Sequence, residues 1–245
     1  MPRFFVKPGQ VGQEQIVICG SDVNHIKNVL RMSDGDEISI SDGEGKDYFG
    51  TISGITKDEV IVHIENSWDS YVELPSKLYL FQGLPKADKM ELIIQKAVEL
   101  GVYEIIPVLT QRTIVKLDAK KEEKKLARWQ SIAQSAAKQS GRGIVPAVKA
   151  PMKLEAALWE AQALEASIIP YEKAKGMDEA RIVIHGMRDK KSIGIFIGPE
   201  GGFDASEVET AVRAGVTPIT LGRRILRTET AGLTALSILM FELDQ

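Results

Sequence analysis

Cys19 is the only cysteine among 245 residues, so no disulfide can form within the chain, which suits a reducing compartment. Its apolar setting, Ile16-Val17-Ile18-Cys19, predicts a buried small hydrophobe rather than a nucleophile. Histidine is nearly as scarce. His25, His63 and His185 lie far apart without metal-ligand spacing, and no metal is expected. The longest apolar stretch, residues 233–243, falls well short of the roughly 20 residues that span a bilayer. The opening residues Met1-Pro2-Arg3-Phe4-Phe5-Val6-Lys7-Pro8 lack the apolar core of a signal peptide, so the chain is expected in the cytoplasm, away from membranes. Positive charge is not in excess: 31 Lys and Arg stand against 34 Asp and Glu. A net charge of −3 argues against indiscriminate coating of nucleic acid, although local potential decides association more than the total does.

Two motifs are missing as well. A dinucleotide site would carry a glycine fingerprint after the first strand of its sheet. Here that strand ends in Phe81-Gln82-Gly83-Leu84-Pro85-Lys86, with one glycine, and no Gly-Lys-Ser/Thr phosphate loop occurs. The usual nucleotide folds are therefore disfavoured.

Hydrophobic residues at 44% and charged residues at 27% fit a globular chain with a full core. The first 70 or so residues read as β-rich, with strand-like runs at 3–6, 14–18, 37–41, 47–52 and 60–64. Asp34-Gly35 and Asp42-Gly43 are turn dipeptides, and one helix is expected over 22–31. Five strands and a helix suggest a small barrel. From Leu74 the rhythm becomes strand, helix, strand, helix: strand 78–82, helix 87–100, strand 102–109, helix 122–140, helix 154–166, strand 167–170. Asp204-Ala205-Ser206-Glu207 reads as a capping box opening a helix to Ala214. Such alternation predicts an α/β fold, a mostly parallel sheet with helices on both faces. The expected division is 1–72 and 73–245.

Two glycine-bearing turns close the chain. Residues 192–197 lead into Gly198-Pro199-Glu200-Gly201-Gly202-Phe203, and 218–221 into Gly222-Arg223-Arg224-Ile225-Leu226-Arg227-Thr228-Glu229-Thr230-Ala231. Each follows an apolar run, and strand-to-helix turns of this kind sit at the sheet edge where α/β proteins bind ligands. Read locally, the second turn is a helix start with Thr228 as cap and Glu229 favoured by the dipole. A third feature is electrostatic. Between residues 111 and 142 lie Arg112, Lys116, Lys120, Lys121, Lys124, Lys125, Arg128, Lys138 and Arg142, against Asp118, Glu122 and Glu123 only.

The paired motifs resemble the signature of the RsmE family, ribosomal RNA uridine-N3 methyltransferases of the SPOUT (trefoil-knot) superfamily. Arg3-Phe4-Phe5, the run 24–31, Lys89-Met90-Glu91, the run 95–101 and Gln139-Ser140-Gly141-Arg142 fit it too, so the resemblance covers the whole chain. It implies an N-terminal PUA-like RNA-binding β-barrel and a C-terminal methyltransferase domain with a trefoil knot. It also implies S-adenosylmethionine as methyl donor and a homodimer formed through the methyltransferase domain. The implied product is N3-methyluridine at the decoding centre of 16S rRNA, made on the assembled small subunit.

On that reading a bent cofactor would be lined by Pro170, Ile197, Gly198, Pro199, Glu200, Gly201, Leu221, Gly222, Ile225, Leu226, Arg227 and Thr228. Methylation at a ring nitrogen needs no covalent enzyme intermediate, which fits the want of a credible cysteine nucleophile. The uridine imino proton must leave, so a base or an oxyanion-stabilising cation is needed. Arg227 is the candidate cation; Glu229 or Glu200 could be the base or could cap a backbone amide. RNA contacts are expected from Arg3, His25, Arg31, Lys86, Lys89, Arg112, Gln139 and Arg142. A transferase acting on a ribose 2′-oxygen or on another RNA, or a catalytically silent RNA-binding assembly factor, would share part of this pattern.

Overall fold

The computed structural model describes residues 2–115, 118–174 and 176–244; Lys116 of the basic segment lies outside the described residues. The chain divides into two compact units, residues 1–73 with 137–145, and residues 74–136 with 146–245.

The first unit contains β1 (Arg3–Phe5), β2 (Gln15–Cys19), α1 (Ser21–Asn24), β3 (Glu37–Ser41), β4 (Lys46–Ile55) and β5 (Glu59–Asp69). The strands form one sheet in the order β1-β3-β4-β5-β2, parallel between β1 and β3 and antiparallel elsewhere. This is a half-barrel: among the described residues no ladder joins β1 to β2. It wraps a single core of Phe4, Val6, Ile16, Ile18, Ile38, Ile40, Ile52, Val60 and Val62. Register shifts at 49/50 and 52/54 bend the long β4–β5 hairpin, whose two strands outrun their expected lengths. The expected 22–31 helix begins as α1 and continues as a π-helical turn, His25–Val29; Arg31, at φ 55, ends it. Cys19 corrects the sequence reading. Alternation along β2 turns Ile16 and Ile18 inward, and Cys19 is exposed.

Residues 137–145 join this unit through Glu73, whose carboxylate accepts from the Arg142 guanidinium at 2.6 Å and from the Gly143 amide at 2.9 Å. The Ser41 hydroxyl donates to the Gly143 carbonyl at 3.0 Å.

The second unit alternates β6 (Lys77–Gly83), α2 (Lys89–Glu99), β7 (Val102–Leu109), α3 (Ala119–Ser140, whose last turn counts with the first unit), β8 (Ala147–Val148), β9 (Met152–Lys153) and α4 (Leu154–Ala161). Then follow β10 (Ala166–Pro170), α5 (Met177–His185), β11 (Ser192–Ile197), α6 (Ala205–Arg213), β12 (Thr217–Ile219) and α7 (Thr228–Leu243). Strand order is β12-β10-β11-β6-β7-β8, with β9 also on β7, and every ladder is parallel. The chain starts mid-sheet, runs outward through β7, then returns to the far side of β6, which makes the β6–β11 neighbourhood a switch point where ligands bind.

Alternation assigns the faces. Phe81 and Phe196 stack at 4.4 Å and pack with α4 and α6 through Leu154, Leu158, Val208 and Ala211. Leu80 and Ile197 meet α7 on the opposite face, at Gly232. The Asp204 capping box forms as expected, the side chain accepting from Ser206 and Glu207 reaching back to the Asp204 amide at 2.8 Å. The expected 87–100 helix starts only at Lys89, because Ala87 sits at φ 53 in the left-handed region. No helix among the described residues is long and apolar enough to cross a membrane.

Candidate active site

The carboxyl ends of β10 and β11 and the start of α7 enclose a cavity of about 240 Å³. The β11 loop supplies residues 198–203, β10 supplies Pro170 with Tyr171 and Glu172, and the approach to α7 supplies Ile225, Leu226, Thr228 and Ala231. Its backbone is packed too closely for side chains. A Cβ on Gly198 would sit 2.8 Å from the Gly202 carbonyl carbon, and one on Gly83 would sit 2.6 Å from the Pro199 ring. Glycine at these points lets β6 and the β11 loop touch.

Polar groups tie the loops together. The Thr228 hydroxyl donates to the Gly198 carbonyl at 2.6 Å and accepts from Gln82 Nε2 at 2.9 Å. Thr228 is therefore not the cap expected of it: Arg227 is the N-cap residue of α7, without a side-chain capping bond, and the hydroxyl crosses to the β11 loop instead. Arg112 lies along the same loop. Its guanidinium donates to the Gly201 carbonyl at 2.7 Å and to Asp204 at 3.0 Å. The Ser206 amide and hydroxyl, with Arg112, hold the Asp204 carboxyl below the usual range.

Beside the cavity, Lys89 Nζ bridges two carboxylates, Glu200 at 3.2 Å and Glu229 at 3.4 Å. Glu200 also accepts the Lys86 amide at 3.1 Å, next to left-handed Ala87. Burial pushes the Glu200 carboxyl up, but hydrogen bonds from its own amide, Lys89 and Lys86 outweigh it and the net shift is downward. Lys89 is raised, chiefly by its hydrogen bond to Glu200. Both groups are thus held charged. Glu229 Oε2 is buried, with Lys89 as its ion-pair partner and no further hydrogen bond among the described residues.

Of the twelve residues expected around a cofactor, Pro170, Ile197, Gly198, Pro199, Glu200, Gly201, Ile225, Leu226 and Thr228 line the cavity. Leu221 lines a separate groove with Met177, Ile184 and Ile238, and Gly222 turns at φ 112 with its amide on Thr220. Arg227 stands exposed just outside the lining. Sequence reasoning missed Gln82, Tyr171, Glu172, Gly202, Phe203 and Ala231, and took Arg112, which also lines the cavity, for an RNA contact. Gln82 alone gave a signal, a polar residue inside an apolar strand.

The expected RNA contacts separate into two groups. His25, Arg31, Lys86 and Gln139 are exposed. Arg3 is held by Asp47 at 2.6 Å, Lys89 by its two carboxylates, and Arg112 by Gly201 and Asp204. Arg142 is 4% exposed and turned onto Glu73, which corrects its reading as a surface contact. On α3, Lys120, Lys121 and Lys124 are exposed, while Arg128 pairs with Glu91 at 3.0 Å.

A family model described as an RNA methyltransferase domain matches residues 72–240, and one described as an RNA methyltransferase PUA domain matches residues 18–65. These matches put the chain in the class of RNA methyltransferases. Over 250 aligned residues it is 36% identical to the ribosomal RNA small subunit methyltransferase E of Bacillus subtilis, covering 100% of this chain and 98% of that one. The enzyme of the same name from Mesomycoplasma hyopneumoniae is 34% identical, with 97% and 98% covered. A crystal structure of ribosomal RNA small subunit methyltransferase E from Neisseria gonorrhoeae bound to S-adenosyl methionine superposes with a TM-score of 0.84 at 33% identity, covering 98% of this chain and 97% of that one. The chain belongs to the ribosomal RNA small subunit methyltransferase E family, as its C-terminal motifs led us to expect.

Proposed function

We propose that this enzyme methylates N3 of a decoding-centre uridine in 16S rRNA on the assembled small subunit, in the cytoplasm, using S-adenosylmethionine. The observation that carries the reading is the cavity built by residues 198–203 with Ile225, Leu226, Thr228 and Ala231 at the carboxyl edge of the sheet. Its residues fit that donor. Apolar walls from Ile197, Phe203, Ile225 and Leu226 suit an adenine, closely approached backbone supplies hydrogen bonds, and Glu172 and Glu200 suit a cationic ligand. Ile225, 87% exposed, is an apolar side chain that a bound ligand would cover. The cofactor, when bound, supplies an electrophilic methyl carbon on a sulfonium.

The chain's own residues do the rest. Backbone of 198–203 and the Thr228 anchor hold the donor, and Arg227 reaches from the cavity rim to the uridine oxygen that gains charge as N3 loses its proton. That proton leaves to the carboxylate of Glu229 or Glu200, each ion-paired to Lys89. Residues 1–72 serve as the RNA-binding module, with His25 and Arg31 as contacts, and residues 73–245 as the catalytic domain, with Lys86 among its contacts. The trefoil knot and homodimer are part of the same reading. Exposed Ile182 and Phe241, on α5 and α7, support an apolar interface on the methyltransferase domain.

Labelled S-adenosylmethionine incubated with small subunits lacking the modification tests the proposal, with the rRNA digested and its nucleosides identified by mass spectrometry. Label in N3-methyluridine is expected. Label in another nucleoside overturns the target, and no label overturns the activity.

A further inference from the structure

We infer that Gln82 is a positioning residue of this site: it fixes the Thr228 hydroxyl and, through it, the Gly198 carbonyl, setting the spacing of the two loops that close on the cofactor. The inference rests on the reading of the cavity as the S-adenosylmethionine site.

Gln82 is fully buried near the end of a central strand, where an unbonded amide would be costly. Its Nε2 donates to the Gly83 carbonyl and to the Thr228 hydroxyl oxygen, both at 2.9 Å. The polarity of the relay is forced. A hydroxyl has one hydrogen, and that of Thr228 goes to Gly198 at 2.6 Å, so its oxygen must accept from an N–H. The other neighbour of Nε2 is a carbonyl, which also demands a donor. Only the amide nitrogen can face this way, which leaves Oε1 buried with no hydrogen bond among the described residues.

Oε1 faces Gly232 of α7, where a Cβ would lie 3.4 Å from it. The relay joins the end of β6, the end of β11 and the first turn of α7, three elements far apart in sequence. Gln82 does not line the cavity, whereas Thr228 and Gly198 do. Its influence on the ligand therefore passes through them.

The test is calorimetric titration of S-adenosylmethionine into the full-length protein and its Gln82→Met, Thr228→Val, Thr228→Ser and Gln82→Met/Thr228→Val variants, with thermal melts alongside. Gln82→Met and Thr228→Val are each expected to weaken binding about tenfold, the size of one buried hydrogen bond. The double variant should be no weaker than either single one, because both cut the same relay. Thr228→Ser keeps the hydroxyl and should recover most of the affinity lost in Thr228→Val. A structural role alone would lower melting temperature and leave affinity unmoved. Affinity within twofold of wild type in folded Gln82→Met and Thr228→Val overturns the inference, as do penalties that add in the double variant. Wild-type protein that fails to bind the cofactor overturns the reading of the cavity and the inference with it.

Discussion

The two glycine-bearing turns near the C-terminus look alike in sequence and differ in what they contribute. Every residue of 198–203, after β11, lines the cavity. Of the turn after β12, Ile225, Leu226, Thr228 and Ala231 reach it, while Leu221 falls into a groove against α5 and α7. The difference follows from strand position. β11 lies between β10 and β6, so its loop is pressed by neighbours on both sides, so closely that a Cβ on Gly83 would lie 2.6 Å from the Pro199 ring. β12 is an edge strand, and its loop crosses to the cavity only as it enters α7. A motif read from sequence marks a turn; the sheet order decides which of its residues meet the ligand.

The largest effect that would sharpen this contrast is on chemistry. Arg227→Ala should leave cofactor affinity nearly unchanged and lower turnover at saturating RNA by about 100-fold, the loss typical of a charge-stabilising donor. Near-normal turnover would remove the second turn from the reaction. Next comes packing of the first turn. Gly83→Ala drives a Cβ into Pro199 and should destabilise the fold by about 1–3 kcal/mol while weakening the cofactor, measured by denaturation and titration.

A smaller, pH-dependent effect is expected at Glu200. Its carboxyl is depressed in the fold, so the stability it contributes is present above its unfolded value and is lost as pH falls through the lower folded one. Cofactor affinity should decline on the acid side below about pH 4.3, the ordinary glutamate value, and Glu200→Gln should remove that part of the decline. The same acid limb in Glu200→Gln would assign it elsewhere. The smallest effect belongs to Leu221. Leu221→Ala should change cofactor affinity less than about threefold, against tenfold for Leu226→Ala, which strips an apolar wall. Equal losses would erase the distinction between the two halves of the turn.

Much of this was legible in the sequence because its signals are local. The β–α rhythm from Leu74, the Asp204 capping box and the glycine-bearing turns each depend on residues a few positions apart, and they formed close to where expected, although the helix expected over 154–166 ends at Ala161 and Ala166 opens β10. Three kinds of feature were not legible. β8 and β9 are two residues long and take their strand character from β7. α5 was not expected, since it opens on Gly176, Asp178 and Glu179 and buries only Ala180 and Ile184. The third is pairing at long range. Lys89, Arg112 and Arg142 read as free cations, yet Glu200, Asp204 and Glu73, distant in sequence, hold them. The same holds for Gln82, whose meaning lies in Thr228.

Amide hydrogen exchange with and without S-adenosylmethionine tests the central claim most directly, that both turns close on one cofactor. The account predicts protection at 198–203 together with 225–231, and at Tyr171 and Glu172, with the Leu221 groove unchanged. Protection confined to one turn, or centred on the groove between α5 and α7, would contradict it.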